Sequence, residues 1–432
     1  MKNPARYETV VELLELMLDS LHMPVDKIIH YYMKERTYIG AKDRRFIVDT
    51  FYKILRHSNK ILRLAPNSPR LILAHYLIHF ENFELKDLDT IFTGEEYELD
   101  YLRPAEKKKL SNEVVFDEYE MLNLPKRLVE FLKEDGIISD IESFSESLLD
   151  EAPLTLRVNK TKSNVEEITA QLEALQIPCS IGSHSDHAII CSKRFNLQET
   201  SFLKQGHVEV QDEGSQLMSL FCNVTEPMKV LDFCAGGGGK TLHLADLMNH
   251  KGQIFAHDIH TKRLQQLKKR AARAEIFNLQ FIEDANERFQ SRYQNYFDCV
   301  LVDAPCSGTG TWRRNPDMRV KFDKVNIDEL AQLQLDILQQ ASIFVKPKGS
   351  LVYVTCSILK QENQSVIKKF LKNLDPDIMQ FEINDSFHQK STADLWKKLK
   401  AESQSEDSVG LNLFPHIHKT DGFYLCRLKR TV

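Results

Sequence analysis

The chain has 432 residues, of which 42% are hydrophobic and 28% charged, and its formal net charge is −5 at pH 7. This length predicts two or three domains, and no apolar run approaches the roughly 20 residues that a membrane-spanning helix needs. The start of the chain lacks an apolar segment behind basic residues, so we expect no signal peptide, no membrane association and a cytoplasmic location. The eight cysteines include no Cys-x-x-Cys pair, which argues against a disulfide scaffold and predicts no metal site.

Charge is unevenly distributed along the chain. Residues 1–70 carry a net charge of +5, residues 71–150 carry −12, and the remainder carries +2. Apolar spacing predicts amphipathic helices over four early segments: 4–21, 24–35, 41–58 and 70–80. The helix that begins at Ala41 has cations at both ends, so it is either a charged surface helix or a helix that contacts RNA phosphates. We therefore predict an all-α domain over residues 1–145.

A small mixed module is predicted next, over residues 146–208. Short apolar runs predict three strands: Leu154–Val158, Ala188–Cys191 and Gly206–Val210. Ser163, with Glu166 three residues later, forms a capping-box pattern at the start of an intervening helix. Strand, helix and strand within about 50 residues indicate an α+β module.

From Met228 onward, strands and helices alternate, which is typical of a doubly wound parallel sheet. The predicted strands are Val230–Cys234, Gln253–Asp258, Leu279–Glu283, Cys299–Asp303 and Leu351–Thr355. The predicted helices lie near 239–249, 261–275, 325–345 and 362–373. The region of Phe381 and residues 423–428 is expected to add an antiparallel edge, and the polar residues 385–410 a surface insertion. The prediction is an α/β domain over 209–432.

A glycine-rich loop joins the first strand of this sheet to its helix, in the stretch from Asp232 to Thr241. Consecutive glycines let a backbone approach a ligand closely, and the helix behind them offers unpaired N–H groups. The loop misses the P-loop pattern because Cys234 stands where its first glycine is required, and the dinucleotide pattern because Thr241 stands where its third is required. S-adenosylmethionine remains, since it has no phosphate and needs only close backbone approach plus acids for its ribose and amine.

Acids end the next three strands of the predicted sheet. Asp258 follows Asp232 by 26 residues, near the spacing of about 20 at which an acid binds a ribose in nucleotide-binding sheets. Asp284 could accept from the adenine amino group, and Asp303 follows the fourth strand. A single such acid is usually a helix cap, but three at one sheet edge indicate a ligand site. The candidate cofactor-binding residues are Cys234, Ala235, Gly236, Gly237, Gly238, Gly239, Lys240, Asp258, Asp284 and Asp303.

Two thiols follow neighbouring strands, in the motifs Asp303-Ala-Pro-Cys306-Ser-Gly and Thr355-Cys356-Ser357. Strand ends of an open α/β sheet meet at the edge where ligands bind, so both thiols are expected there. One interpretation is catalytic, because a thiolate is a strong nucleophile toward carbon. The alternative is that both are ordinary buried cysteines. The candidate catalytic residues are Cys356, Cys306 and Asp303.

Taken together, the glycine loop and the two cysteine motifs resemble the Sun/nucleolar-protein family of RNA cytosine-C5 methyltransferases. The resemblance extends over residues 150–430 and includes Leu156–Asn159 and Val210–Gln216. It implies a Rossmann-like class I methyltransferase sheet, S-adenosylmethionine held by the loop and acids, Cys356 as the nucleophile, and Cys306 in product release. The N-terminal helices, through the segment 40–47, are similar to the NusB-like RNA-binding domain of the bacterial member that methylates 16S ribosomal RNA.

This resemblance predicts methylation of cytosine carbon 5 in structured RNA, first of all 16S rRNA, through a covalent cysteine–cytosine adduct and by a monomer. Transfer RNA as the substrate is one alternative, and a non-catalytic RNA-binding scaffold with a residual cofactor pocket is another. The segment after the first thiol, Thr311–Pro316, offers an aromatic ring and two cations to a flipped base, or is a helix-linking loop with a buried Trp312.

Overall fold

A computed structural model describes residues 1–403 and 409–432 of the chain. It divides the chain into two compact units, one of residues 1–150 with 312–325 and the other of 151–311 with 326–432. Among the described residues, no helix combines the length and the apolar character that a bilayer crossing requires. The division into three domains stays a prediction.

The first unit, called the helical unit here, is built from nine helices of its N-terminal part. They are α1 (Asn3–Asp19), α2 (Val25–Glu35), α3 (Ala41–Arg56), α4 (Ser58–Leu64), α5 (Pro69–Phe80), α6 (Pro104–Leu110), α7 (Glu118–Met121), α8 (Lys126–Asp135) and α9 (Ile141–Ser147). Helical spacing of Val10, Leu13, Leu14 and Met17 gives α1 a fully buried face, as the sequence pattern predicts. In α3, Arg44 donates to the carbonyls of Met33 and Ile39, so this cation binds protein backbone.

Residues 312–325 also belong to the helical unit, although they follow the first thiol motif in the chain. Trp312 is fully buried and packs edge-on against Phe322, with ring centroids 5.6 Å apart. Arg319 donates to the carbonyl of Arg56, and Lys321 Nζ donates to the Met23 carbonyl at 2.9 Å. The burial of Trp312 means that the interpretation of this ring as a platform for a flipped base is wrong.

The second unit, called the sheet unit here, begins with a four-stranded antiparallel sheet in the order β2-β3-β1-β4. Its strands and helices are β1 (Leu154–Val158), α10 (Val165–Ala174), β2 (Cys179–Ile181), β3 (Ala188–Cys191), α11 (Ser201–Lys204) and β4 (Val208–Val210). Asn164 caps α10 by accepting from the Glu167 N–H at 2.8 Å, so the predicted cap at Ser163 is one residue early. Ser163 instead donates its hydroxyl to the Glu167 carboxylate.

An eight-stranded sheet follows, in the order β10-β12-β9-β8-β5-β6-β7, with β11 paired to β12. Its strands are β5 (Lys229–Asp232), β6 (Gln253–His257), β7 (Leu279–Ile282), β8 (Phe297–Asp303), β9 (Val345–Thr355), β10 (Phe381–Ile383), β11 (Leu411–Leu413) and β12 (Phe423–Arg430). The helices are α12 (Glu213–Leu220), α13 (Gly239–Leu247), α14 (Thr261–Arg273), α15 (Glu287–Tyr293), α17 (Ile327–Ser342), α18 (Gln364–Asn373), α19 (Lys390–Glu402) and α20 (Pro415–His418), while α16 (Asp317–Lys321) lies in the helical unit.

Five strands of this sheet are parallel and the last three are antiparallel, which confirms the predicted Rossmann-like α/β fold and its antiparallel edge. Side chains alternate between two hydrophobic cores on opposite faces of the sheet: Val230 and Leu301 face one core, whereas Leu231 and Val300 face the other. Apolar side chains on both faces explain why the strand segments are almost continuously hydrophobic in the sequence.

The predicted surface insertion at 385–410 is wrong in its middle part. Residues 390–402 form α19, and both Trp396 and Leu399 are buried in the core. The Trp396 ring lies 5.1 Å from that of Phe221. Residues 404–408 of the same prediction lie outside the described residues.

Candidate active site

The four glycines between β5 and α13 differ in conformation. Gly236 and Gly238 have φ values of +55° and +83°, a region in which a side chain is strained. A Cβ on Gly238 would lie 2.0 Å from Leu267 Cδ1, whereas a Cβ on Gly236 would meet nothing within 4 Å. The loop is therefore pressed against α14 at Gly238 and faces open space at Gly236.

Two arginine side chains hold this loop through its carbonyl groups. Arg157 Nη1 donates to the Gly239 carbonyl at 2.7 Å and also to Gln211. Arg270 donates to the Gly237 carbonyl and, through Nε, to Glu209 at 3.0 Å. These residues were not predicted from the sequence, although Arg157 and Gln211 lie in two segments that carried the family resemblance.

The acids after β6 and β7 lie in different surroundings. Asp258 is buried, and its two carboxylate oxygens accept from the N–H groups of Gly236 at 2.8 Å and His260 at 2.7 Å. Asp258 therefore holds the glycine loop in place through Gly236. This role was not predicted; its predicted role as a cofactor ligand is a separate one. Asp284 is exposed and accepts from Asn286 Nδ2 at 3.0 Å, so it is bonded within its own turn.

The remaining residues of the predicted loop, Cys234 and Ala235, are tied to the sheet. The Ala235 N–H donates to the His257 carbonyl at 2.8 Å. Burial, together with the charges of Asp232 and Asp303, raises the pKa of the Cys234 thiol well above its usual range. Cys234 is thus an uncharged thiol at neutral pH, which suits backbone contact with a ligand and not nucleophilic chemistry.

Lys240 and Asp303 form an ion pair at the end of β8, with Nζ 2.8 Å from Oδ2. Burial alone would lower the pKa of Lys240, but the charge and hydrogen bond of Asp303, followed by the charges of Cys356 and Asp232, raise it. Lys240 is therefore a fixed cation within electrostatic range of Cys356. The centre of the Phe423 ring, at the start of β12, lies 5.3 Å from Nζ.

The two thiols lie together. The sulfur atoms of Cys306 and Cys356 are 3.4 Å apart, and both side chains are partly exposed. The Gly310 N–H donates to the Cys356 carbonyl at 2.9 Å, which joins the two loops directly. The hydrogen bond with Cys356, then burial, then the charges of Cys356 and Glu362 raise the pKa of Cys306 well above its usual range. Cys306 therefore keeps its proton and can donate it toward the Cys356 sulfur.

Of the ten residues predicted for the cofactor, Lys240 is paired with Asp303 and interacts electrostatically with Cys356, and Asp258 is bonded to the glycine loop. This sheet edge thus combines a glycine loop, a Lys–Asp pair whose lysine is buried, and two adjacent thiols.

Comparison with known proteins finds one methyltransferase family. A family model described as 16S rRNA methyltransferase RsmB/F matches residues 220–429, and a model of the ferredoxin-like domain of RsmF/B-like methyltransferases matches residues 124–198. These two parts of the chain are similar to RsmB/F methyltransferases. The resemblance seen in the sequence motifs is thereby confirmed.

Curated RsmB/F relatives are similar over part of their length. A probable ribosomal RNA small subunit methyltransferase B of Bacillus subtilis (strain 168) is 33% identical over 281 residues, which cover 64% of this chain and 59% of that protein. Ribosomal RNA small subunit methyltransferase B of Shewanella oneidensis is 32% identical over 277 residues, covering 64% and 60%. The matched part of the chain thus spans about three fifths of these two RsmB relatives.

Solved structures agree on the fold of this chain. The structure of PH0851 covers 99% of both chains with a TM-score of 0.77 and 25% identity. NSun6 from Pyrococcus horikoshii, solved with SFG, covers 71% of this chain and 98% of its own with a TM-score of 0.58 and 17% identity. At that identity the second likeness concerns the fold only.

Proposed function

We propose that this chain transfers a methyl group from S-adenosylmethionine to carbon 5 of a cytosine in 16S ribosomal RNA, through a transient bond between Cys356 and the base. The observation that carries the proposal is the 3.4 Å separation between the sulfurs of Cys356 and Cys306, at the sheet edge that holds the Lys240–Asp303 pair. A methyltransferase that acts on an oxygen, a nitrogen or an activated carbon has no need of two adjacent thiols. The family and the names of its relatives support the ribosomal substrate.

The residues of the glycine loop fit the cofactor. S-adenosylmethionine supplies an electrophilic methyl group when it is bound. Gly236 faces open space with a positive φ, so the backbone can approach a ligand there without a side chain between them. Asp258 would accept from ribose hydroxyls with the lone pairs that its backbone bonds leave, and Asp284, exposed beyond β7, would accept from the adenine amine. Ile259, 80% exposed beside Asp258, offers an apolar surface to the adenine ring.

The reaction begins with the thiolate of Cys356. Lys240, held as a cation by Asp303, stabilises the negative charge on Cys356 through its proximity. The thiolate adds to carbon 6 of cytosine, and the electron pair of the 5,6 double bond makes carbon 5 nucleophilic. Negative charge then develops on the pyrimidine ring. A proton from water neutralises it at N3, that N–H can donate a hydrogen bond to Asp303, and the proton returns to water when Cys356 leaves. Carbon 5 takes the methyl group in this fixed geometry.

Product release requires removal of the carbon-5 proton and expulsion of Cys356 as a thiolate. We assign the base to Cys306. The hydrogen bond with Cys356 is the largest cause of its raised pKa; burial comes second and the charge of Cys356 third. The hydrogen bond and the charge are lost once the Cys356 sulfur is bonded to carbon 6, whereas burial remains. The pKa of Cys306 therefore falls when the adduct forms, which favours its action as a base at that stage.

Substitution of each thiol tests this assignment. Cys356→Ala should bind RNA and transfer no tritiated methyl group from labelled S-adenosylmethionine. Cys306→Ala should form the adduct and fail to release it, which yields an RNA–protein band that survives denaturing electrophoresis. Normal methylation by Cys356→Ala would overturn the mechanism.

Two other functions give different results in that assay. A non-catalytic RNA-binding scaffold would transfer no label with the wild-type protein. The paired thiols and the ion pair of buried Lys240 with Asp303 favour an enzyme. Transfer RNA and 16S rRNA are separated by offering both as unmethylated transcripts and mapping 5-methylcytosine with bisulfite. The ribosomal substrate is supported if only the 16S transcript is modified.

A further inference from the structure

A single buried carboxylate links the loops that carry the two thiols. Glu362, which is fully buried two residues before α18, accepts from the Ser307 N–H at 2.8 Å and from Gln334 Nε2 at 2.9 Å through Oε1. Its other oxygen, Oε2, accepts from the hydroxyls of Ser307 and Ser357. Ser307 directly follows Cys306, and Ser357 directly follows Cys356. The same side chain is thus bonded to the neighbour of each thiol.

The burial of Glu362 makes these bonds interdependent. All four donors are neutral groups, and a buried carboxylate is tolerated only when its lone pairs are satisfied. Moving either loop would leave part of the negative charge without a donor, which is unfavourable in a buried site. The position of one thiol loop therefore depends on the position of the other.

Further bonds extend the same network. Thr309 Oγ1 accepts from the Ile358 N–H at 3.0 Å and lies 3.2 Å from the Ser357 hydroxyl, which in turn accepts from the Leu359 N–H at 3.1 Å. The loop after β8 and the loop after β9 are thereby joined at several points, with Glu362 at the centre.

We infer that Glu362 is a positioning residue that sets the separation and relative orientation of Cys306 and Cys356. The role of Glu362 in catalysis rests on the proposed function. Its effect on the placement of the two sulfurs does not depend on that function. Addition by one thiol and proton removal by the other act on adjacent carbons of one ring, so both must be placed within a few tenths of an ångström. The charge of Glu362 is also one cause of the raised pKa of Cys306, which is consistent with its thiol form at rest.

The geometric content can be measured without any methyl transfer. In buffers of reduced and oxidised glutathione, Cys306 and Cys356 each give up one proton and one electron, the disulfide forms between them, and oxidised glutathione becomes two reduced molecules. The equilibrium constant for forming this disulfide reports how well the two sulfurs are placed. Peptide mass spectrometry verifies that the bond joins Cys306 to Cys356. Glu362→Gln keeps the shape of the side chain but loses its charge, and should lower this constant about tenfold, the size of one hydrogen bond to a charged group.

The control is Asp246→Asn, which removes another buried carboxylate of the sheet unit, one that accepts from the N–H groups of Lys160 and Thr161 and contacts neither thiol loop. It should leave the equilibrium constant unchanged. If Glu362→Gln does not fold, Ser307→Ala replaces it, because it removes one donor and keeps the backbone N–H bond. An unchanged constant in the folded variant would overturn the inference.

A kinetic measurement separates this inference from the proposed function. With RNA and S-adenosylmethionine, Glu362→Gln should lower kcat about tenfold or more, leave KM for S-adenosylmethionine within about twofold, and raise the fraction of RNA trapped as covalent adduct. A merely structural loss would lower the amount of active protein without changing that fraction. A wild-type protein without methyl transfer would contradict the function but leave the disulfide result standing.

Discussion

At the scale of single residues, Asp232 carries a consequence for stability. It ends β5, is 1% exposed and accepts from the Thr241 hydroxyl at 2.6 Å. Burial is the largest cause that raises its pKa to about 7. The hydrogen bond from Thr241 and the charge of Lys240 lower this pKa, whereas the charges of Asp303 and Asp258 raise it. The folded protein therefore holds a proton on Asp232 at a pH where the unfolded chain has lost it.

Asp232→Asn should change how stability depends on pH. The wild-type contribution of Asp232 is fully present below the unfolded pKa near 4 and is lost as the pH rises to about 7, since the folded state binds the extra proton in that window. Asparagine mimics the protonated form at all pH values. We expect the variant to gain stability relative to wild type between pH 5 and pH 8, by at most on the order of 4 kcal/mol. Urea unfolding of both proteins at the two pH values measures this, and a constant difference would contradict it.

Some residues of the site can be predicted from their position in the sequence, and others cannot. Asp303, Cys306 and Cys356 were predictable because each lies at the end of a strand or within three residues after it. The apolar runs of these strands are clear, and strand ends in such a sheet meet at one edge. Glu362 and Arg157 were not, since a charged side chain is ordinarily exposed and only tertiary packing shows that these two are buried among polar partners.

At the scale of elements, the glycine loop shows the limit of a sequence pattern. Four consecutive glycines are identical in the sequence, yet only Gly236 and Gly238 have positive φ. Gly239 is the first residue of α13, and an added Cβ would meet only Gln211, at 3.7 Å. The four positions should therefore respond differently to substitution.

Gly238→Ala should destabilise the sheet unit, whereas Gly239→Ala should not. Alanine at position 238 meets both a left-handed backbone and the Leu267 side chain, at a cost of about 2 kcal/mol or more. Alanine at 239 takes a helical conformation that favours it over glycine by up to about 1 kcal/mol. Thermal unfolding followed by circular dichroism compares the two variants. Equal losses would show that the loop tolerates neither, and that the difference in φ is not what matters.

The secondary structure itself follows the sequence where periodicity is strong. The parallel strands β5, β6, β8 and β9 each end within two residues of the predicted position. Their ends were predictable because the buried apolar runs are flanked by glycine or acidic residues. The three-residue β2 and the short α15 went unpredicted, since neither has enough residues to show a period. The helix α19 was missed because a polar composition hides its two buried apolar side chains.

At the scale of the whole molecule, the path of the chain is the main feature that the sequence did not reveal. The chain leaves the sheet unit after Thr311, eight residues after the first thiol motif starts at Asp303, and contributes residues 312–325 to the helical unit. The helical unit is therefore completed by a segment that lies more than 150 residues beyond its N-terminal part. Its stability depends on residues that belong, by position in the sequence, to the methyltransferase region matched by the family model.

Substitution of Trp312 tests that dependence. Trp312 is fully buried, and among residues 1–403 and 409–432 no acceptor pairs with its Nε1. Trp312→Ala should destabilise the helical unit by about 3–5 kcal/mol through the cavity that it leaves. Trp312→Phe should cost clearly less, because it retains an aromatic ring and removes a buried N–H without a partner. Hydrogen exchange locates the effect: in Trp312→Ala, amides of α3 and α4 should lose protection while those of β5 and β6 keep theirs. Loss of protection in the strands instead would place Trp312 in the core of the sheet unit and contradict the division of the chain described above.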